Sequence, residues 1–368
     1  MSRSPVVRYR KRAINASSDF EAACAADIDG DGRLDIVSGD TWYQAPDWTP
    51  HPFRKIAVWG RGPGESGYRS DFADLPLDVN GDGRIDIVSC AYDTGEIYWH
   101  ENVGGSADWP RHEVARPGSM ETMVFAPILG RGHRPAILPN CAGQVVWYEL
   151  RRAGARPEWV EHVVGKEGAA HGIGWGDVDG DGKVDIITPH GWYQQVDAAR
   201  DRWNWRPEWE CNPGDCGIGM PVYDIDGDGL NDIVFGSGHH YGVYWLQQQP
   251  HGSRNRWVQR AIDSSWSQAH ALILTSMDRR HRPAVLTGKR YRAHDTDPGA
   301  DEPLGLYFYW FNRKRRRWQK YTVDYGTQTG TGLQLTSVDL RRTGRLDIIA
   351  PGKSGLYLFE NMGRQKPE

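Results

Sequence analysis

The sequence predicts an all-β, seven-bladed β-propeller, and three observations carry that prediction. An acidic loop motif recurs at a step of about 50 residues, each copy is embedded in short β-type stretches, and the two chain ends complement one another.

The motif is Asp-x-Asp/Asn-Gly-Asp-Gly-x-x-Asp. It begins at Asp27, Asp78, Asp177 and Asp224. A degenerate copy begins at Asp339. Copies that keep only the frame begin at Ile128 and Ser276 and end in Arg-Pro-Ala. Starts at 27, 78, 128, 177, 224, 276 and 339 are the period of a blade. An apolar stretch precedes and follows each loop. An aromatic strand comes next, such as Ile97–Trp99, Val145–Tyr148, Val243–Trp245, Leu306–Trp310 or Leu356–Phe359. A fourth strand is predicted at 53–57, 112–114, 159–163, 257–261 and 318–322. The seventh unit lacks its fourth strand, whereas residues 6–14 resemble one. Residues 1–14 are therefore expected to complete the last blade and close the ring, making 1–368 a single domain.

Composition agrees. Of 368 residues, 44 are Gly and 22 Pro, which demands many turns, and 17 are Trp, which supplies core volume. The net charge of −4 gives no field that would draw nucleic acid or an acidic membrane surface. No apolar run reaches membrane-spanning length and no signal peptide is visible, so a cytoplasmic location is expected. Five scattered cysteines do not form a disulfide framework. Nothing in the sequence specifies an oligomer.

Carboxylates at positions 1, 3, 5 and 9 of a tight loop repel one another unless a cation takes their oxygens. Four structural Ca²⁺ sites are therefore expected. Their ligands are Asp27, Asp29, Asp31 and Asp35, then Asp78, Asn80, Asp82 and Asp86. The third set is Asp177, Asp179, Asp181 and Asp185, and the fourth is Asp224, Asp226, Asp228 and Asp232. An EF-hand needs Glu at position 12 and flanking helices, but here that position is Ser38, Ser89, Thr188 and Phe235. These units resemble FG-GAP or VCBS-type repeats of integrin-like propellers, a likeness that bears on fold rather than activity.

In a propeller, the starts of the first strands and the exits of the second strands meet at one funnel. His171 and His270 each stand six residues before a repeat start, and His239 or His240 comes from the blade between, with His239 taken as the third ligand. Three imidazoles at one mouth form a candidate site for Zn²⁺ or another divalent metal. Glu121, Asp71, His190, Trp192, Lys289, Arg290, Tyr291 and His294 map to the same funnel. Glu121, Tyr291 and His294 are candidate acids or bases, and Arg290 and Lys289 suit an oxygen-rich ligand. Trp192 is a candidate sugar-stacking ring. The run Arg313–Arg317 is expected to be a solvated hairpin loop.

The segments His171-Gly-Ile-Gly-Trp-Gly, Thr188-Pro-His-Gly-Trp-Tyr, Gln268-Ala-His-Ala-Leu and Thr287-Gly-Lys-Arg-Tyr with His294 resemble the propeller domain of aldos-2-ulose dehydratases. That resemblance implies a metal-dependent carbohydrate lyase acting on a keto sugar such as 1,5-anhydrofructose, by dehydration or glycoside elimination. The fungal type also carries cupin domains for a later isomerisation, an activity not expected of the propeller alone. Two other readings stand beside it. One is a calcium-stabilised propeller that binds carbohydrate or protein without turnover. The other is a polysaccharide lyase whose Arg290 and Lys289 neutralise a uronate.

Overall fold

A computed structural model describes residues 7–60, 67–105, 108–130, 132–153, 156–212, 216–252, 254–277, 282–291 and 296–364. The described chain is a ring of seven four-stranded antiparallel sheets, and its helical content is the single turn Ala198–Arg200. Blades 1 to 6 use their four strands in chain order. Their innermost strands are Cys24–Ala26, Ala73–Leu77, Met123–Ala126, Gly174–Gly176, Val222–Tyr223 and Leu272–Ser276. Blade 7 runs Thr336–Val338, Asp347–Ala350, Leu356–Arg364 and then Val7–Asn15, so the N-terminal strand does supply its outer edge.

Burial explains the sequence pattern. Second strands such as Asp35–Ser38 and Asp185–Thr188 are buried on both faces, and so is the aromatic third strand Glu96–His100. Outer strands alternate, as in Arg111–Ala115, because one face meets water. The cores lie between blades. Ala126, Leu138 and Trp147 of blade 3, for example, pack on Ile186 and Tyr193 of blade 4. Each blade thus buries its faces on its neighbours, which is why the ring must close.

One strand differs from expectation. The fourth strand of blade 1 is Thr49–Pro52, not 53–57. Phe53 instead turns into the core, and Arg54 buries its guanidinium against Asp71 and Asp74 at 3.2 and 2.8 Å. A small extra hairpin, Val58–Trp59 with Tyr68–Arg69, follows. All five cysteines are buried thiols rather than disulfides. No helix among the described residues is long and apolar enough to cross a membrane.

In the acidic loops the glycines at positions 4 and 6 take φ of +76° to +91°, a conformation costly for side chains with a Cβ. The carboxylate at position 3 accepts the amide of position 5, and that at position 5 accepts the amide of position 7. Asp29, Asp31, Asp179 and Asp181 show this at 2.8–3.2 Å. Position 9 behaves differently. Both oxygens of Asp35, Asp86, Asp185 and Asp232 accept backbone amides, one from the loop and one from a residue in or just after the third strand.

Candidate functional site

Two backbone features bring the imidazoles together. Gln268 adopts a left-handed conformation, φ +62°, so that its carbonyl accepts the amides of both His270 and Arg290 at 3.0 Å. Gly217 lets the blade 5 backbone approach blade 6, since a Cβ there would lie 2.1 Å from the Ala269 carbonyl oxygen. His171 precedes the inner strand of blade 4, and His270 precedes that of blade 6. His239 sits in the turn between the second and third strands of blade 5.

The three rings form a near-symmetric triangle. Their centroids are 5.1, 5.3 and 5.1 Å apart and their planes meet at 72–73°. Ligating nitrogens from all three lie within 4.8 Å of one another. The Nδ1 of His171 contacts the Cys216 carbonyl at 2.5 Å, and the Nδ1 of His239 contacts Asp297 at 2.9 Å. Those contacts turn the Nε2 atoms inward. His171 Nε2 pairs with the Glu121 carboxylate at 3.1 Å. Three imidazoles whose nitrogens converge, with a carboxylate beside them, form a donor set of the kind a divalent metal takes.

Glu121 is held from two sides. Burial alone would raise its pKa, but His171 and Arg290 outweigh burial and hold the carboxyl down at about 2. Burial likewise opposes the His171 cation, yet Glu121 raises that pKa above its ordinary value. The Arg290 guanidinium is 1% exposed and spans Glu21 at 2.7 Å and Glu121 at 3.4 Å.

Several expected substrate contacts are placed elsewhere. Arg290 is consumed by its two carboxylates and positions Glu121 instead of meeting a ligand. Lys289 is also 1% exposed, and its ammonium donates to Ser267 Oγ and the Gly299 carbonyl at 2.7 and 2.6 Å. Asp71 is sealed against Arg54. Trp192 lies in the core between blades 4 and 5 with its indole N–H on Glu208, so it offers no stacking face. His190 is half-exposed and paired with Glu210 at 2.6 Å. Tyr291 packs beside Gly330, where a larger side chain would collide with its Cβ. His294 lies outside the described residues. Sequence reasoning missed Asp297 as a partner of the site, because it belongs to no local motif.

Three acidic loops bring carboxylates within 4.8 Å of one another. The sets are Asp27, Asp29 and Asp31, then Asp177, Asp179 and Asp185, then Asp224, Asp226 and Asp228. In blade 2, Asn80 replaces a carboxylate, and its side chain contacts Asp82 and Glu101. The run 313–317 is not merely solvated: Arg316 pairs with Asp226 at 2.9 Å, and Arg313 reaches the Asp224 carbonyl.

No family model matches the chain, and no curated protein matches it. Solved structures do. An exotype rhamnogalacturonan lyase, YesX, is 12% identical, with a TM-score of 0.50 over 96% of this chain and 72% of its own. Virginiamycin B lyase from Staphylococcus aureus is 9% identical, with a TM-score of 0.54 over 97% of this chain and 100% of its own. BBS1N, in its complex with ARL6DN, is 11% identical, with a TM-score of 0.54 over 98% of each chain. At these identities the likeness is one of fold, shared by lyases and by a protein solved in a complex.

Proposed function

We propose that the chain is a metal-dependent carbon–oxygen lyase that eliminates water or an alcohol from a keto sugar. The observation that carries the proposal is the triangle of His171, His239 and His270 with an ionised Glu121 at 3.1 Å. Two structural neighbours named lyases accord with it. The sugar class comes from the motif resemblance.

Held by the three imidazoles, a divalent metal would supply Lewis acidity at a carbonyl oxygen and so acidify the neighbouring C–H. The protein's own groups do the rest. Elimination moves a proton from the carbon α to the carbonyl onto a base, breaks the C–O bond at the β carbon, and returns a proton to the departing oxygen. Glu121, 3.1 Å from His171 Nε2 and beside the imidazole triangle, is the carboxylate placed to act as the acceptor. For the donor, the motif resemblance leaves Tyr291 and His294 as the candidates. Arg290 and Glu21 hold Glu121 in place. Because Arg290 and Lys289 are both buried and bonded internally, neither is available to neutralise a uronate carboxylate. An uncharged substrate is favoured over a polyuronate.

The acidic loops are proposed to hold Ca²⁺ as structural ions. Asp27 Oδ1 and Asp226 Oδ1 are buried and, among the described residues, have no hydrogen-bond partner. Such an oxygen fits a hard cation.

Purified protein supplied with Zn²⁺ or Mn²⁺ is expected to convert 1,5-anhydrofructose or a 3-keto glycoside into an enone absorbing in the ultraviolet. Chelation, His171→Ala and His270→Ala should each abolish the product. Sugar binding that survives all three treatments, with no turnover before them, would instead establish a binding propeller.

A further inference from the structure

The connection between the second and third strands of blade 6 does not stay over its own blade. Residues 296–304 reach blade 5 and are fastened there at three points. Asp297 Oδ2 meets His239 Nδ1 at 2.9 Å. Lys289 Nζ, fixed on Ser267, donates to the Gly299 carbonyl. Tyr241 of blade 5 donates its hydroxyl to Glu302 at 2.5 Å. The turn itself is closed by the amides of Ala300 on Asp297 and Glu302 on Gly299. Gly299 is required: its φ is +74°, and a Cβ would lie 2.5 Å from Ser267 Oγ and 2.8 Å from the Tyr241 hydroxyl.

We propose that this segment is a positioning strap for His239, and that Asp297 is the residue through which it acts. The inference rests on the metal-centre reading above and deepens it. A carboxylate at Nδ1 selects the tautomer that carries its proton there, which commits Nε2 to the side of His171 and His270. Lys289 thereby gains a role different from substrate binding: it pins the strap that carries Asp297. The burial of that ammonium also has a reason, since a carbonyl and a hydroxyl replace the water it loses.

The test uses the full-length protein in two states. In metal-free protein, long-range ¹H–¹⁵N correlation, assigned with His239→Gln, is expected to show the proton of His239 on Nδ1. Asp297→Ala should lose that signature, and Asp297→Glu should recover it in part. In Co²⁺ titrations followed by visible absorption, Asp297→Ala should bind about 10–100-fold more weakly than wild type. Gly299→Val, which displaces the strap without touching its acid, should move in the same direction. An unchanged tautomer and an unchanged Co²⁺ affinity in Asp297→Ala would overturn the proposal. A wild-type chain with the predicted tautomer but no stoichiometric Co²⁺ would overturn the metal centre, and with it the strap's part in metal binding.

Discussion

At the scale of single residues, the site divides into what counting reveals and what only contact reveals. His171 and His270 were legible because each stands at a fixed distance from a repeated loop. A repeat converts sequence position into height on the ring. Arg290 and Lys289 were misread for a physical reason: adjacent cations suggest a ligand surface, yet each is buried by partners more than 100 residues away or by a backbone carbonyl. Burial also makes His100 informative. It is packed edge-on against Phe53 and Tyr98, and burial, followed by the charges of Arg54 and Arg111, depresses its pKa to about 2. The unfolded chain therefore binds a proton that the folded chain refuses, and stability falls as pH drops below about 6.5. Between pH 6.5 and 5 this costs about 2 kcal/mol. Denaturant titrations should show a shallower acid limb for His100→Gln than for wild type. Identical limbs would show that the imidazole titrates freely.

At the scale of elements, the loops explain why an acid persists at position 9 where the middle acids are lost. Asp347, in the degenerate seventh copy, still accepts the amide of Asn361 at 2.7 Å. The residue is a brace between loop and third strand, whether or not an ion is bound. Amides on or just after the third strand also tie four of the blades to the one before. Asn102 donates to the Ile28 carbonyl, Gln195 to Ile128, Gln248 to Val178 and Asn361 to Met277. No periodic pattern announces these amides, so the sequence concealed them. In blade 5 the arginines from blade 6 occupy part of the acidic loop's charge. Calcium bound at that loop, as proposed, would have to compete with them. Arg316→Ser is expected to tighten Ca²⁺ at that loop by about fivefold, near the 1 kcal/mol of an exposed ion pair. Calorimetric titration checks it, and weaker binding would count against competition.

At the scale of the whole molecule, ring closure was the most legible feature, because a missing strand at one end matched a spare strand at the other. Val7–Asn15 pairs along Leu356–Arg364, and Tyr9 stacks on Phe308 of blade 6. Deleting residues 1–15 leaves blade 7 with an open edge. The truncated protein is expected to aggregate with concentration and to lose a single cooperative melt, measured by light scattering and calorimetry. A monomer that melts as sharply as wild type would mean that the seam is dispensable. Both ends of the described chain, Val7 and Arg364, lie in the seventh blade, while the three imidazoles come from the fourth, fifth and sixth. The molecule is thus stitched shut at a place other than where its candidate chemistry sits. A circularly permuted version, with the native ends linked and new ends opened in a loop of blade 2, should keep its histidine triangle intact, because the order in which the blades are synthesised is irrelevant to where their inner residues finish.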